Sequence, residues 1–154
     1  MIKRIFVTTI LTGFLIGIPF LVFKNYKQAL IRGQELNVEF KKIESEEIKL
    51  VHLRIQNNSD SLLLDSVIAD NVFCSKLRSI LLELRDNSGP SSRMIYNRTF
   101  YLDLTTTSEE HIAIEVYATD ITALVLIKTK SKNWIEGLDD VYSSTSLKEL
   151  LRSV

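Results

Sequence analysis

From Ile5 to Phe23 the chain reads IFVTTILTGFLIGIPFLVF, nineteen positions without a charge, bounded by Lys3 and Arg4 before and by Lys24 and Lys27 after. A helix of that length spans about 28 Å, close to the ~30 Å hydrocarbon core of a bilayer. Backbone groups in lipid must bond within their own segment, so this run predicts a transmembrane helix. Tyr26–Arg32 extends it by two turns and Gly33 ends it.

Beyond Gly33 the period changes to two. Leu36, Val38 and Phe40 alternate with polar neighbours, which predicts a half-buried strand over Glu35–Ile43. Val51, Leu53 and Ile55 alternate with His52, Arg54 and Gln56 in a second strand, Ile48–Gln56. The polar run Asn57–Ser61 is a turn, and Leu62–Ile68 a short third strand. Phe73, Leu77, Ile80, Leu81 and Leu84 then recur at helical spacing behind Asp70, a residue suited to cap a helix start; Lys76, Arg78, Glu83 and Arg85 fall on the wet side.

Alternation returns at Phe100, Leu102 and Leu104 and again at Ile112, Ile114 and Val116, a hairpin turning through Thr106–Glu110. Ala123–Lys130 is a further strand whose Leu124–Ile127 core is apolar on both parities, as in a strand covered on both faces or flanking the anchor. Ser146-Leu-Lys-Glu149 reads as a capping box opening a last helix, docked by Leu147, Leu150, Leu151 and Val154. The fold class expected is α+β: an N-terminal transmembrane helix, then a small antiparallel-sheet domain with one amphipathic helix and a short C-terminal helix. The division is residues 1–32 as membrane anchor and juxtamembrane extension, and residues 33–154 as one domain.

A cleaved signal peptide is the rival to a retained anchor, and would make this a secreted domain. Signal peptides have shorter apolar cores and a small-x-small cleavage site. Here the run ends in FKNYKQ, without such a site and without a cysteine for lipid attachment, which favours retention. Loop charges nearly balance across the run, and the very short tail before it favours placing the domain outside the cytoplasm. Thr9, Gly13 and Gly17 share one face of the anchor, where small residues allow close helix packing, including a homodimer, although glycine is also common in such helices. Pro19 removes one helical bond and can bend the outer third.

Charge narrows the partners. All 19 acidic residues but only 15 of the 19 basic ones lie beyond residue 27, so that portion carries a formal charge of −4. That disfavours nucleic acid, which selects a positive surface. Cys74 is the only cysteine, so no internal disulfide forms, and its place among Phe73 and Leu77 suits a small buried hydrophobe.

The chain offers few groups suited to catalysis. One cysteine and two histidines do not make a zinc site, and Glu46-Glu47, Glu109-Glu110 and Asp139-Asp140 lack the ligand spacing of a calcium loop, so no metal or other cofactor is expected. No nucleophile elbow or phosphate loop occurs. His52 and His111 are the only neutral-pH bases, and a small membrane-tethered hydrolase would have to use one of them, oriented by Asp103 or Glu110. Two asparagine sequons, at Asn57 and Asn97, are of the frequency chance allows.

Tyr101 and Tyr117 lie on the outward parity of adjacent strands and are expected to form a cross-strand pair, the best candidate contact face. Lys128, Lys130 and Lys132 alternate, either as a positive stripe or as protection of a sheet edge. The reading that follows is a single-pass, membrane-anchored, non-enzymatic protein whose extracytoplasmic domain binds a protein partner in or near the membrane, in an accessory, assembly or immunity-type role.

Overall fold

The computed structural model describes residues 22–24, 26–27, 30–57, 61–84, 96–129 and 141–154. Thr9, Gly13, Gly17 and Pro19, and all of the Ile5–Phe23 run except Val22 and Phe23, lie outside them, as do Lys130, Lys132 and residues 85–95 between the amphipathic helix and the central hairpin. Among the described residues no helix is long and apolar enough to cross a membrane.

Residues 30–45 form one unbroken helix, α1, and the described residues from 22 to 27 are helical as well. This corrects the strand expected over Glu35–Ile43 and the helix end expected at Gly33. Leu36, Phe40 and Ile43 are buried, whereas Val38 is 52 % exposed. A spacing of four and three selects one face of a helix; in a strand Val38 would have joined Leu36 and Phe40 inside.

Six strands follow: β1 (Ile48–Asn57), β2 (Leu62–Ile68), β3 (Arg98–Thr106), β4 (His111–Ala118), β5 (Ala123–Ile127) and β6 (Tyr142–Ser144), with α2 (Asn71–Leu84) between β2 and β3 and α3 (Thr145–Arg152) after β6. They form one antiparallel sheet in the order β2-β1-β3-β4-β5-β6. The α+β architecture with an antiparallel sheet is therefore as the pattern predicts, and β6 is an addition to it. Because β1 separates β2 from β3, the chain must cross one sheet face to pass between them, and α2 makes that crossing. Asp70 starts α2, its carboxylate accepting the Phe73 N–H at 2.9 Å.

All three helices pack on the same face of the sheet. The rows Leu53, Leu102, Ile114, Ile127 and Ile55, Phe100, Val116, Val125 run in register across four strands and are buried with Leu36, Phe40, Leu77, Leu81, Leu147 and Leu151 in a single core. The Phe40 ring meets Tyr142 edge-on, 5.5 Å between centroids, joining α1 to the β6 edge. Cys74 is buried there, and burial pushes its thiol up from the ordinary range.

Arg78, expected on the wet side of α2, instead turns inward to the end of α1. Its Nε donates to the carbonyls of Ile43 and Glu46, both at 2.8 Å, and its Nη2 to that of Glu44 at 2.7 Å. The last carbonyls of a helix have no internal partner and carry partial negative charge, so a guanidinium there both bonds them and opposes the dipole. The start of α3 is likewise corrected: Ser144 caps it by accepting from Leu147 N–H at 3.0 Å, so Ser146 lies inside the helix and the expected box does not form. Val154 is 49 % exposed and does not dock, whereas Leu147 and Leu151 do.

Candidate functional site

The opposite face of the sheet carries the even-numbered positions of β1 and the odd-numbered positions of β2, β3 and β4. No described helix covers it. Strand alternation is what sorts the residues: once Leu53 and Leu102 are inside, Arg54 and Tyr101 must be outside. Register then decides which of them meet.

In the centre, Arg54 lies opposite Tyr101, its guanidinium 5.7 Å from the ring centroid, and its Nη2 donates to Asp103 Oδ2 at 3.2 Å. Arg54 Nε is buried and has no hydrogen-bond partner. One strand outward, His52 Nε2 pairs with Asp65 Oδ1 of β2 at 2.5 Å. On the other side Glu115 is a hub. It accepts from the Tyr117 hydroxyl at 2.8 Å and pairs with Lys128 Nζ at 2.7 Å, with only 14 % of its side chain exposed. The Tyr117 ring stacks obliquely on Tyr96, 5.0 Å between centroids. Burial and the neighbouring Glu115 carboxylate push the Tyr117 hydroxyl well above the usual phenol range.

Tyr101 and Tyr117 thus share this face, but they are not direct partners. Tyr101 lies opposite Glu115, and Tyr117 opposite Thr99. The turn fixes this register: Thr106 N–H donates to the Glu110 carbonyl at 2.9 Å, closing the hairpin on that pair. The two tyrosines are diagonal neighbours on the same surface. Lys128 follows β5 and is spent on Glu115, and β5 is not an edge, since β6 pairs with it from Ala123 to Val125. Lys128, three residues beyond the part of β5 that β6 pairs, thus closes a polar network on this face. Leu124 and Leu126, half-buried on this face, account for the apolar character of β5 on both parities.

Among the described residues, the only hydroxyl bonded to a histidine is Thr105 Oγ1, 3.4 Å from His111 Nδ1, a weak contact across the hairpin. The expected orienting groups are engaged elsewhere, Asp103 with Arg54 and Glu110 with Lys42 Nζ at 3.0 Å. The hydrogen bond from Lys42 to Glu110 raises the ammonium's pKa, and bonds from Ser108 and Thr106 hold Glu46 below the usual carboxylate range. These contacts tie the α1–β1 junction to the β3–β4 turn. Among the described residues no three His, Cys, Asp or Glu side chains converge as metal ligands do.

Sequence periodicity found Tyr101 and Tyr117, named Asp103 only as a partner for a histidine, and missed Arg54, Asp65 and Glu115. Their alternation was visible; the adjacency of β1 to β3 across an intervening strand and helix was not. The chain matches no known protein family, no curated protein and no solved structure.

Proposed function

We propose that this is a single-pass membrane protein, held by Ile5–Phe23, whose extracytoplasmic sheet domain binds a protein partner through its open face. The role is non-enzymatic: accessory, assembly or immunity-type. One observation carries the reading. The face that bears Tyr101 and Tyr117 is covered by none of the described helices, although it holds a connected set of aromatic, arginine and carboxylate groups. Tyrosine and arginine dominate binding hot spots because they offer large, partly rigid contact area with polar tips. An anchor would concentrate such a surface near a partner in the same membrane, and a homodimer through Thr9, Gly13 and Gly17 is one way to present two of them.

The test places a photo-crosslinking residue at Tyr101 and, as control, at Lys76 on the exposed side of α2. A single discrete crosslinked protein from Tyr101 and none from Lys76 supports the reading; equal products from both, or none from the face, overturns it. Carbonate extraction and N-terminal sequencing test the anchor. A mature chain in the membrane pellet that still begins before Ile5 agrees with it. A soluble chain beginning beyond Phe23 selects a secreted domain instead.

The His52–Asp65 pair is the feature that favours a hydrolase. His52→Gln together with His111→Gln tests it: full retained function removes that reading, and selective loss in a folded variant establishes it.

A further inference from the structure

At the end of the helix-covered face, away from the α1–β1 junction, the sheet and α3 line an open cavity of about 310 Å³. That is at the lower end of the range for small-molecule sites, roughly 300–1,000 Å³. Its apolar lining comes from inward positions of the sheet, Phe100, Val116, Ala118 and Ala123, with Leu151 of α3 beside them. Among the described residues its cations are three. Arg98 occupies the inward parity at the start of β3, two residues before Phe100. Lys148 and Arg152 are four apart on α3 and so share one helix face.

None of the three is ion-paired among the described residues. Lys148 is the decisive one, since it is only 7 % exposed. Its ammonium donates to the backbone carbonyl of Asp120, and among the described residues its two other N–H donors have no partner. A buried cation without a counter-charge is a costly arrangement that an incoming anion relieves. Among the described lining residues Asp120 is the one carboxylate; it accepts from Asn97 Nδ2 at 3.0 Å and leaves that lining with an excess of two positive charges.

We propose that this cavity binds a small organic anion: one carboxylate or phosphate group, met by Lys148, Arg98 and Arg152, on a short apolar body lying over Phe100 and Val116. An arginine pair beside an ammonium suits an oxyanion because guanidinium groups present paired N–H donors to adjacent oxygens. The apolar floor gives no reason to select inorganic ions, so affinity requires both parts of the ligand. The site is separate from the open sheet face, and its occupancy does not depend on what that face binds.

The full chain in detergent is titrated with sodium hexanoate, hexyl phosphate, 1-hexanol and inorganic phosphate at matched ionic strength, followed by calorimetry and thermal unfolding. Saturable binding of hexanoate or hexyl phosphate is expected, with no saturable binding of hexanol and at least tenfold weaker binding of inorganic phosphate; which of the two amphiphiles is tighter identifies the head group. Arg98→Gln with Arg152→Gln should weaken the response at least tenfold. Both residues are exposed, so the double variant keeps the fold. Asp120→Asn, which removes that negative charge, should tighten binding. The proposal is overturned if hexanol binds as well as hexanoate, if no probe binds, or if the double variant binds undiminished.

Discussion

Leu53 and Arg54 are neighbours in β1 and live in different solvents. Leu53 is fully buried beneath the helices, in a row of leucine and isoleucine that runs through four strands. Arg54 stands on the other face among Tyr101, Asp103 and Asp65, with close to half its side chain in water. The covered face is held by apolar area and shape, where each lost methylene is felt. The open face is held by hydrogen bonds and ion pairs whose net contribution in water is small. A surface that contributes little to folding is free to be shaped by binding, and that contrast is what singles out the open face.

The sharpest way to break the contrast is to truncate each neighbour in turn. Leu53→Ala should cost about 2–5 kcal/mol of stability, and Arg54→Ala about 1 kcal/mol or less, both measured by chemical denaturation of the full chain in detergent. Equal costs would mean that the open face is packed in the working protein.

A next, smaller effect separates the covered face from its helix caps. Arg78→Met should cost about 2 kcal/mol, since three carbonyls at the end of α1 lose a charged donor. Arg78→Lys should recover only part of it, because a single ammonium cannot reach all three as the planar fork does. A cost near zero would show that α1 ends as well in water as against α2.

On the open face the expected signal is pH-dependent. The Tyr117 hydroxyl is pushed up by burial and by Glu115, so the folded chain keeps a proton that the unfolded chain loses near pH ~10. The resulting stability is fully present below that pH and is lost as pH rises through the folded-state value. Lys42, raised by its bond to Glu110, has the same sign. Ultraviolet titration should show a phenol phase well above the usual range, and Tyr117→Phe should remove that phase and flatten the alkaline loss. A titration in which Tyr117→Phe removes no late phase would mean the Tyr117–Glu115 bond does not persist.

The smallest effect concerns α1, the outermost cover. A Cβ at Gly33 would meet nothing within 4 Å, and the residue sits inside a continuous helix. Gly33→Ala should therefore stabilise by up to about 1 kcal/mol. Destabilisation would restore a helix end at that point.

The sequence by itself determined the elements in which one period stands alone. Phe73, Leu77, Leu81 and Leu84 have no competing alternation, and Asp70 marks their start; the hairpin residues from Phe100 to Val116 alternate cleanly about one polar turn. Both could be read because side-chain direction follows from local backbone geometry. Where two periods coexist, only the tertiary structure decided. Leu36, Val38 and Phe40 fit a strand, Leu36, Phe40 and Ile43 fit a helix, and burial against the sheet selects the second. The same holds for Arg78, Ser144, the diagonal placement of Tyr101 and Tyr117, and the meeting of Lys148 with Arg98. Each depends on which distant segment lies alongside, and that is set by the joint packing of the whole core rather than by any window of the chain.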